Sequence, residues 1–275
     1  MFQPTAANVR LPRRPHPLDD VAVKLERGYK HIIELNDELL RFKRFHPDVF
    51  GTHLDTSTGK FTHGASQFDA GLDTGRLSVI AGEALHQLRT TLDHLIAQLL
   101  LAIPANAANI DGILEQSCFP IYVGNFKSFD WRKIPNISPA ARQAISDLQP
   151  CNRTDGLPVE DHPLAVLASL NNVDKHRSLI RIVRPARITR IDIGRDFKGT
   201  INHIAPAVLG SSQTYAMLVE GFVPPDTPVD VQFYGTTEIA FKKVGTRDIE
   251  PIIPTVQLLL DFVGGIVNDF ASKCF

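Results

Sequence analysis

Apolar residues recur at helical spacing from Leu18 to Phe45, at Val21, Leu25, Tyr29, Ile32, Ile33, Leu39 and Leu40. Positions three and four apart share a helix face, so this pattern predicts a long amphipathic helix. Asp19 and Asp20 open it, where the helix dipole favours anions, and Pro47 closes it. Residues 1–17 are rich in Pro and Arg and predict an extended arm. "VFGTHLDTSTGKFTHGA" predicts a short hairpin at 48–65, turning at Ser57–Gly59 and attached to the helical core. A second long helix is predicted from Leu77 to Ala102, stopped before Pro104.

Beyond Pro104 the pattern predicts a loop containing Gly112 and then "CFPIY", residues 118–122, as a short strand. "SPAARQAISDLQP" predicts a compact helix, with Ser138 as N-cap and Pro139 in the first turn. "HPLAVLASLNNVDKH" predicts another, capped by Asp161 or His162 and fading at Asn171–Asn172. From Ser178 the periodicity changes to short β-branched runs separated by Gly, Pro and Asp: "SLIRIVRPARITRIDI", "TINHIAPAVLG", "TYAMLVEGFVPP" and "VDVQFYGTTEIAFKK". "EPIIPTVQLLLDFVGGIVNDFASK" returns to helix, softened by Gly264–Gly265. The expected architecture is α+β. A helical bundle over 18–177 carries an antiparallel sheet over 178–245, and a closing helix over 250–273 packs back on the bundle, all in one integrated domain.

Composition narrows the functional classes. The chain has 275 residues with 29 basic and 30 acidic side chains, a net charge of −1. Its charge as a whole favours neither nucleic acid nor an anionic membrane, so contact with a polyanion needs a local patch. Cys118, Cys151 and Cys274 are few, odd in number and far apart, which predicts no disulfide partner and a reducing, cytoplasmic setting. No apolar stretch follows the N-terminal arginines, and Gln98, Pro104 and Asp261 interrupt the longest apolar runs. Neither a signal peptide nor a membrane span is expected.

The second long helix carries the candidate chemistry. A helix turns ~100° per residue. With His86 placed at 0°, Leu77, Ala84, Leu88, Leu92, Leu95 and Leu99 fall at roughly 160–240° and form a buried stripe. Arg89 and Asp93 lie i,i+4 on the opposite side and can pair. His94 lies ~140° from Arg89 on a straight helix, so the two can border one groove, or meet across a two-fold dimer, but cannot touch. Leu85, Ile96 and Leu100 flank the polar face, which predicts a helix surrounded on most sides.

The segment Arg89-Thr-Thr-Leu-Asp-His94 resembles the Arg-x4–6-His motif of the HEPN superfamily, helical-bundle proteins that include many metal-independent ribonucleases of toxin and defence systems. "GEALHQLRTTLDHLIAQL" is also similar to a widespread set of uncharacterised bacterial proteins. These join a "GDALHNLRSALDHL" helix to "FPI", "QP" and "LxNxDKHR" segments, matched here by "CFPIY", "LQPCN" and "LNNVDKHRSL". The first resemblance implies an endoribonuclease or RNA-binding homodimer without cofactor. In that reading Arg89 holds the phosphate, His94 moves the proton and Asp93 orients one of them. Thr90 departs from the Asn, Asp or His that nuclease members often place after the arginine.

"NNVDKHR" forms a second cluster, in which Asp174, Lys175, His176 and Arg177 join His86 as candidate binding residues. One reading makes it a polar helix end, since cations suit the negative end of the dipole. The other turns it toward the polar side of the second helix, where Asp174 pairs with Arg89 or His86. Arg181, Arg184, Arg187, Arg190 and Arg195 make the following strand the most basic part of the chain and a candidate surface for a phosphate backbone. His86, Asp93, His94, His162, Asp174 and His176 leave a mononuclear metal site open as a lesser alternative, with no HExxH motif in its favour. A non-catalytic binding protein, its Arg, Asp and His residues structural, is the main alternative to the ribonuclease.

Overall fold

The computed structural model describes residues 3–12, 15–45, 49–66, 73–124, 129–176, 182–209, 215–224, 227–242 and 249–275, without the side chains at 49, 66, 173–176, 183, 184, 207–209, 215, 216, 242 and 249. The fold is α+β. Among the described residues it contains six α-helices: α1 (Asp19–Phe45), α2 (Thr74–Leu101), α3 (Ile110–Gln116), α4 (Pro139–Asp147), α5 (Pro163–His176) and α6 (Ile252–Lys273). The strands are β1 (Val49–Asp55), β2 (Lys60–Ser66), β3 (Ile182–Ile193), β4 (Thr200–Ile204), β5 (Ala207–Leu209), β6 (Tyr215–Phe222), β7 (Val231–Thr237), β8 (Ala240–Lys242) and β9 (Ile249–Pro251).

The chain forms two compact units. The helical unit comprises Met1–Asn36, Ser78–Ile180 and Ile253–Phe275, and the sheet unit comprises Asp37–Leu77 and Arg181–Ile252. In the helical unit, α2 buries Ala84, Leu88, Leu92, Leu95 and Leu99 as its stripe requires, and Leu85, Ile96 and Leu100 are equally buried. Each such leucine contributes roughly 1.5–3 kcal/mol relative to exposure. Gly28 lets α1 approach α2 closely, since a Cβ there would stand 3.3 Å from Leu88 Cδ2. Ser138 caps α4 by accepting from Ala141 N at 3.1 Å. His162 caps α5, its Nδ1 accepting from Leu164 N at 3.2 Å, and α5 continues through Asn171–Asn172 to His176.

α6 runs unbroken through Gly264–Gly265. Gly264 serves close packing, not softening: the N-terminal arm lies against it, and a Cβ there would come within 2.8 Å of Ala7 Cβ. The described part of the arm has no regular secondary structure before α1 and is tied down by reciprocal bonds. Gln257 exchanges bonds with the Thr5 backbone, and Asn268 with the backbones of Asn8 and Arg10. α6 is long and apolar enough to cross a bilayer by length and composition, but a core helix meets the same criterion. Here Val256, Leu260, Val263, Val267 and Phe270 are buried within the unit.

The sheet unit holds two antiparallel sheets, where a single sheet was expected. One has the order β1-β2-β6-β4; the other runs β5-β3-β8-β9, with β7 also paired to β3. The expected hairpin forms, and β2 also pairs with β6, so the hairpin extends a sheet. Its turn is built by Asp55, which accepts from Ser57 N, Ser57 Oγ and Thr58 Oγ1; those bonds hold its carboxyl at about 2. Gly59 follows at φ +71°, and any Cβ there would strike the Val223 carbonyl. Phe61, Ala65, Ala186, Leu218, Val219 and Val223 form the core of the unit.

Candidate functional site

The segment 118–122 is coil, with no ladder partner among the described residues. Preceding it, α3 and a 3-10 turn at Pro104–Asn109 occupy the expected loop. Backbone N–H and C=O groups outside a ladder need other partners when covered. Here neighbouring side chains supply them. Asp93 Oδ1 accepts from Phe119 N at 2.9 Å, and Arg89 Nη2 donates to Phe119 O at 2.7 Å. The same Nη2 reaches Asp93 Oδ1 at 2.9 Å, so the predicted i,i+4 pair clamps the Phe119 peptide from both ends.

Gln149 holds the other half of the segment. It is fully buried; its Oε1 accepts from Tyr122 N at 3.0 Å, and its Nε2 donates to Pro120 O at 3.1 Å and Ile145 O at 2.8 Å. Cys151 N donates to Tyr122 O at 3.1 Å. α2, the segment 118–122 and the end of α4 are therefore joined by side-chain to main-chain bonds. These are the places of three of the four motifs quoted above.

Behind the clamp opens a cavity of about 500 Å³. Arg89 and Asp93 border it from α2, Cys118 to Tyr122 from the extended segment, and Ala168, Asn171 and Asn172 from α5, so the fourth motif reaches it too. Phe129 and Lys133 complete the wall. Tyr122 and Phe129 meet edge to face with centroids 5.8 Å apart. Among the described residues, Arg89 donates only to Asp93 and Phe119, both through Nη2, which leaves Nε and Nη1 uncommitted. The Arg89 side chain is 14% exposed, so a ligand anion there would meet a guanidinium largely removed from water. Lys133 is exposed at the rim.

His86 and His94 lie elsewhere. Both are exposed on α2 and neither borders the cavity. Partial burial and the charge of Lys24 hold the His94 imidazole below its ordinary range, against the opposing carboxylates of Asp93 and Asp20. Asp174, Lys175 and His176 stand in the last turn of α5, but their side chains, and Arg177 altogether, lie outside the described residues. The suggested pairing of Asp174 with Arg89 or His86 falls there too. Arg181 and the Arg184 side chain also lie outside. Arg187 pairs with Glu238 at 2.9 Å, and Arg190 with Asp192 at 3.1 Å while lying 3.9 Å over the Tyr234 ring, so the positive charge of these two is locally balanced.

Glu83 and His86 have the i,i+3 spacing of a bundle metal pair, but Glu83 approaches His31 instead, at 3.4 Å. Among the described residues, no three His, Cys, Asp or Glu side chains gather as metal ligands. Cys118, Cys151 and Cys274 are free thiols.

Gln149, Lys133 and Asn171 were not singled out in the sequence. Gln149 and Asn171 each lay within a quoted motif, which was the available signal; a surface lysine carries none. Compared with family models, with curated proteins and with solved structures, the chain matches none.

Proposed function

We propose that this protein is a HEPN-like homodimer that binds RNA, with a phosphate group seated in the cavity against Arg89 and Lys133. One observation carries the reading: a largely buried guanidinium keeps an uncommitted edge on a cavity and neutralises the one carboxylate that borders it among the described residues. Asp93 is engaged by Arg89 and by Phe119 N, so an incoming phosphate meets a net positive wall with Lys133 at the rim. Charge-assisted bonds of this kind are the strong class. The clamp gives Arg89 a second duty, because the bonds that hold 118–122 also fix the guanidinium in place. In this reading Arg89 and Asp93 are binding and positioning residues.

The test is binding of a fluorescent single-stranded RNA hexamer, followed by anisotropy. Lys133→Glu is expected to weaken binding by about tenfold or more. Arg89→Lys, which keeps the charge but cannot both clamp Phe119 and face the cavity, is expected to weaken it comparably. Absence of binding by the wild type, or equal binding by Lys133→Glu, overturns the reading.

A second reading, RNA cleavage, is favoured by one feature of His94. Partial burial and the charge of Lys24 lower its pKa, the direction a general base requires. Since His94 stands outside the cavity, the second copy would have to present it. Cleavage that persists with chelator and disappears in His94→Ala supports this; no cleavage by the wild type refutes it.

A further inference from the structure

Trp131 is the only tryptophan in the chain, and it stands half-buried at the start of the 3-10 turn Trp131–Lys133. Two side chains pack on it. Phe129, from the cavity wall, meets it edge to face with centroids 4.9 Å apart. Arg142, from α4, lays its guanidinium over the ring, with Cζ 5.3 Å from the centroid. Arg142 is exposed, and among the described residues no carboxylate pairs with it. The neighbouring Arg132 is committed, since it grips Asp130 through Nε at 2.8 Å and Nη2 at 2.9 Å. Lys133, at the end of the same turn, borders the Arg89 cavity. An exposed cation over a ring adds little to stability. A guanidinium plane held against an indole is instead preorganised for stacking on its outer face.

We propose that the Trp131–Arg142 stack is a second subsite beside the cavity, taking an unpaired base over the guanidinium while the adjoining phosphate rests against Arg89 and Lys133. The proposal rests on the RNA-binding reading and deepens it by naming the ligand class, single-stranded RNA. Phe129 belongs to both places: it borders the cavity and touches Trp131. The net charge of the chain is −1, so a polyanion needs a local patch, and Arg89, Lys133 and Arg142 supply one. Arg187 and Arg190 do not, because each is paired with a carboxylate. Every base has a π-face, so such a platform accepts any base that is not already stacked and paired in a duplex. A stack that served the fold alone would change the melting temperature when altered, and leave the preference for bases as it was.

The experiment titrates the full chain with an unlabelled single-stranded RNA hexamer and with the same hexamer stripped of its bases. The hexamer is expected to bind about tenfold more tightly than its abasic backbone, the yield of one stacked base. Trp131 emission is expected to shift on saturation with the hexamer and not with the backbone, because a base over the stack removes water from the half-buried ring. Arg142→Lys keeps the charge and has no plane to stack on. It is expected to bind the two ligands alike and to melt near the wild type. The proposal is overturned if the wild type binds hexamer and backbone equally, if Trp131 emission responds to both alike, or if Arg142→Lys keeps the preference. Any of those results alongside Lys133-dependent RNA binding leaves the RNA reading standing and removes only the stacking subsite. Failure of the RNA hexamer to bind removes both.

Discussion

Arg89 and His63 are both titratable groups drawn into an interior, and the two units treat them differently. In the helical unit, Arg89 is bonded to Asp93 and to the Phe119 carbonyl. In the sheet unit, His63 follows the strand alternation Phe61-His63-Ala65 into the core. There it lies between the rings of Phe233 and Phe50, at 4.7 and 6.2 Å. Its Nδ1 meets Thr52 Oγ1 at 2.8 Å, and its Nε2 has no partner among the described residues. The difference originates in the backbone. A β-ladder satisfies its own amides, so side chains in a sheet need only fill space. The segment 118–122 has no ladder among the described residues, and polar side chains brought inside serve it. Those side chains create a rigid polar wall, which is why the candidate chemistry belongs to the helical unit.

The largest effect is expected where three main-chain groups depend on one side chain. Gln149→Leu leaves Tyr122 N, Pro120 O and Ile145 O without their partner. It should cost about 3 kcal/mol by chemical denaturation, given about 1–3 kcal/mol for each buried polar group left unsatisfied and some relaxation. Amide exchange over 118–122 should accelerate more than exchange in β1 or β2. A loss confined to global stability, with the segment still protected, would break the contrast drawn between the units.

His63 gives the next effect, and it depends on pH. Burial lowers its pKa from the ordinary 6.5. Above that value His63 is neutral whether folded or unfolded. As pH falls through 6.5 the unfolded chain takes up the proton first, so the folded state loses stability, by at most about 1.4 kcal/mol per pH unit, until the folded site protonates as well. Melting of the wild type at pH 5 and pH 7, compared with His63→Leu, should show a pH-dependent component that the variant lacks. An identical pH dependence in both would remove His63 as its source.

The smallest effect sharpens the comparison by acting on a helix end alone. Ser138→Ala removes one cap bond from α4 and should cost about 1 kcal/mol. Exchange over 118–122 should remain as in the wild type, because the cap bond of Ser138 serves its own helix.

The long helices were legible from single residues at regular spacing. α1 begins and ends within a residue of its expected limits, and Ser138 caps α4 as its position predicts. The alternation of the strands was legible as well, but their partners were not. β2 joins β6 across more than a hundred residues of intervening chain, and no local pattern encodes that pairing. "CFPIY" is rich in apolar residues and imitates a strand, but it finds no ladder partner among the described residues and is coil. Gly264–Gly265 imitates a helix break, and only the arm lying against Gly264 shows why the glycine is there.

For the candidate site, the sequence by itself determined that Arg89 and Asp93 could pair, because i,i+4 geometry is a property of any helix. It also determined that Arg89 and His94 could not touch. What the pair would grip was decided by tertiary structure alone. The Phe119 peptide, Lys133 and Asn171 reach the cavity from segments far apart in the chain, and Gln149 holds the backbone of 120–122. Hydrogen bonds form at about 3 Å in space, whatever the separation along the chain. Local periodicity therefore set which face of α2 is polar, and long-range packing chose the groups that face now serves.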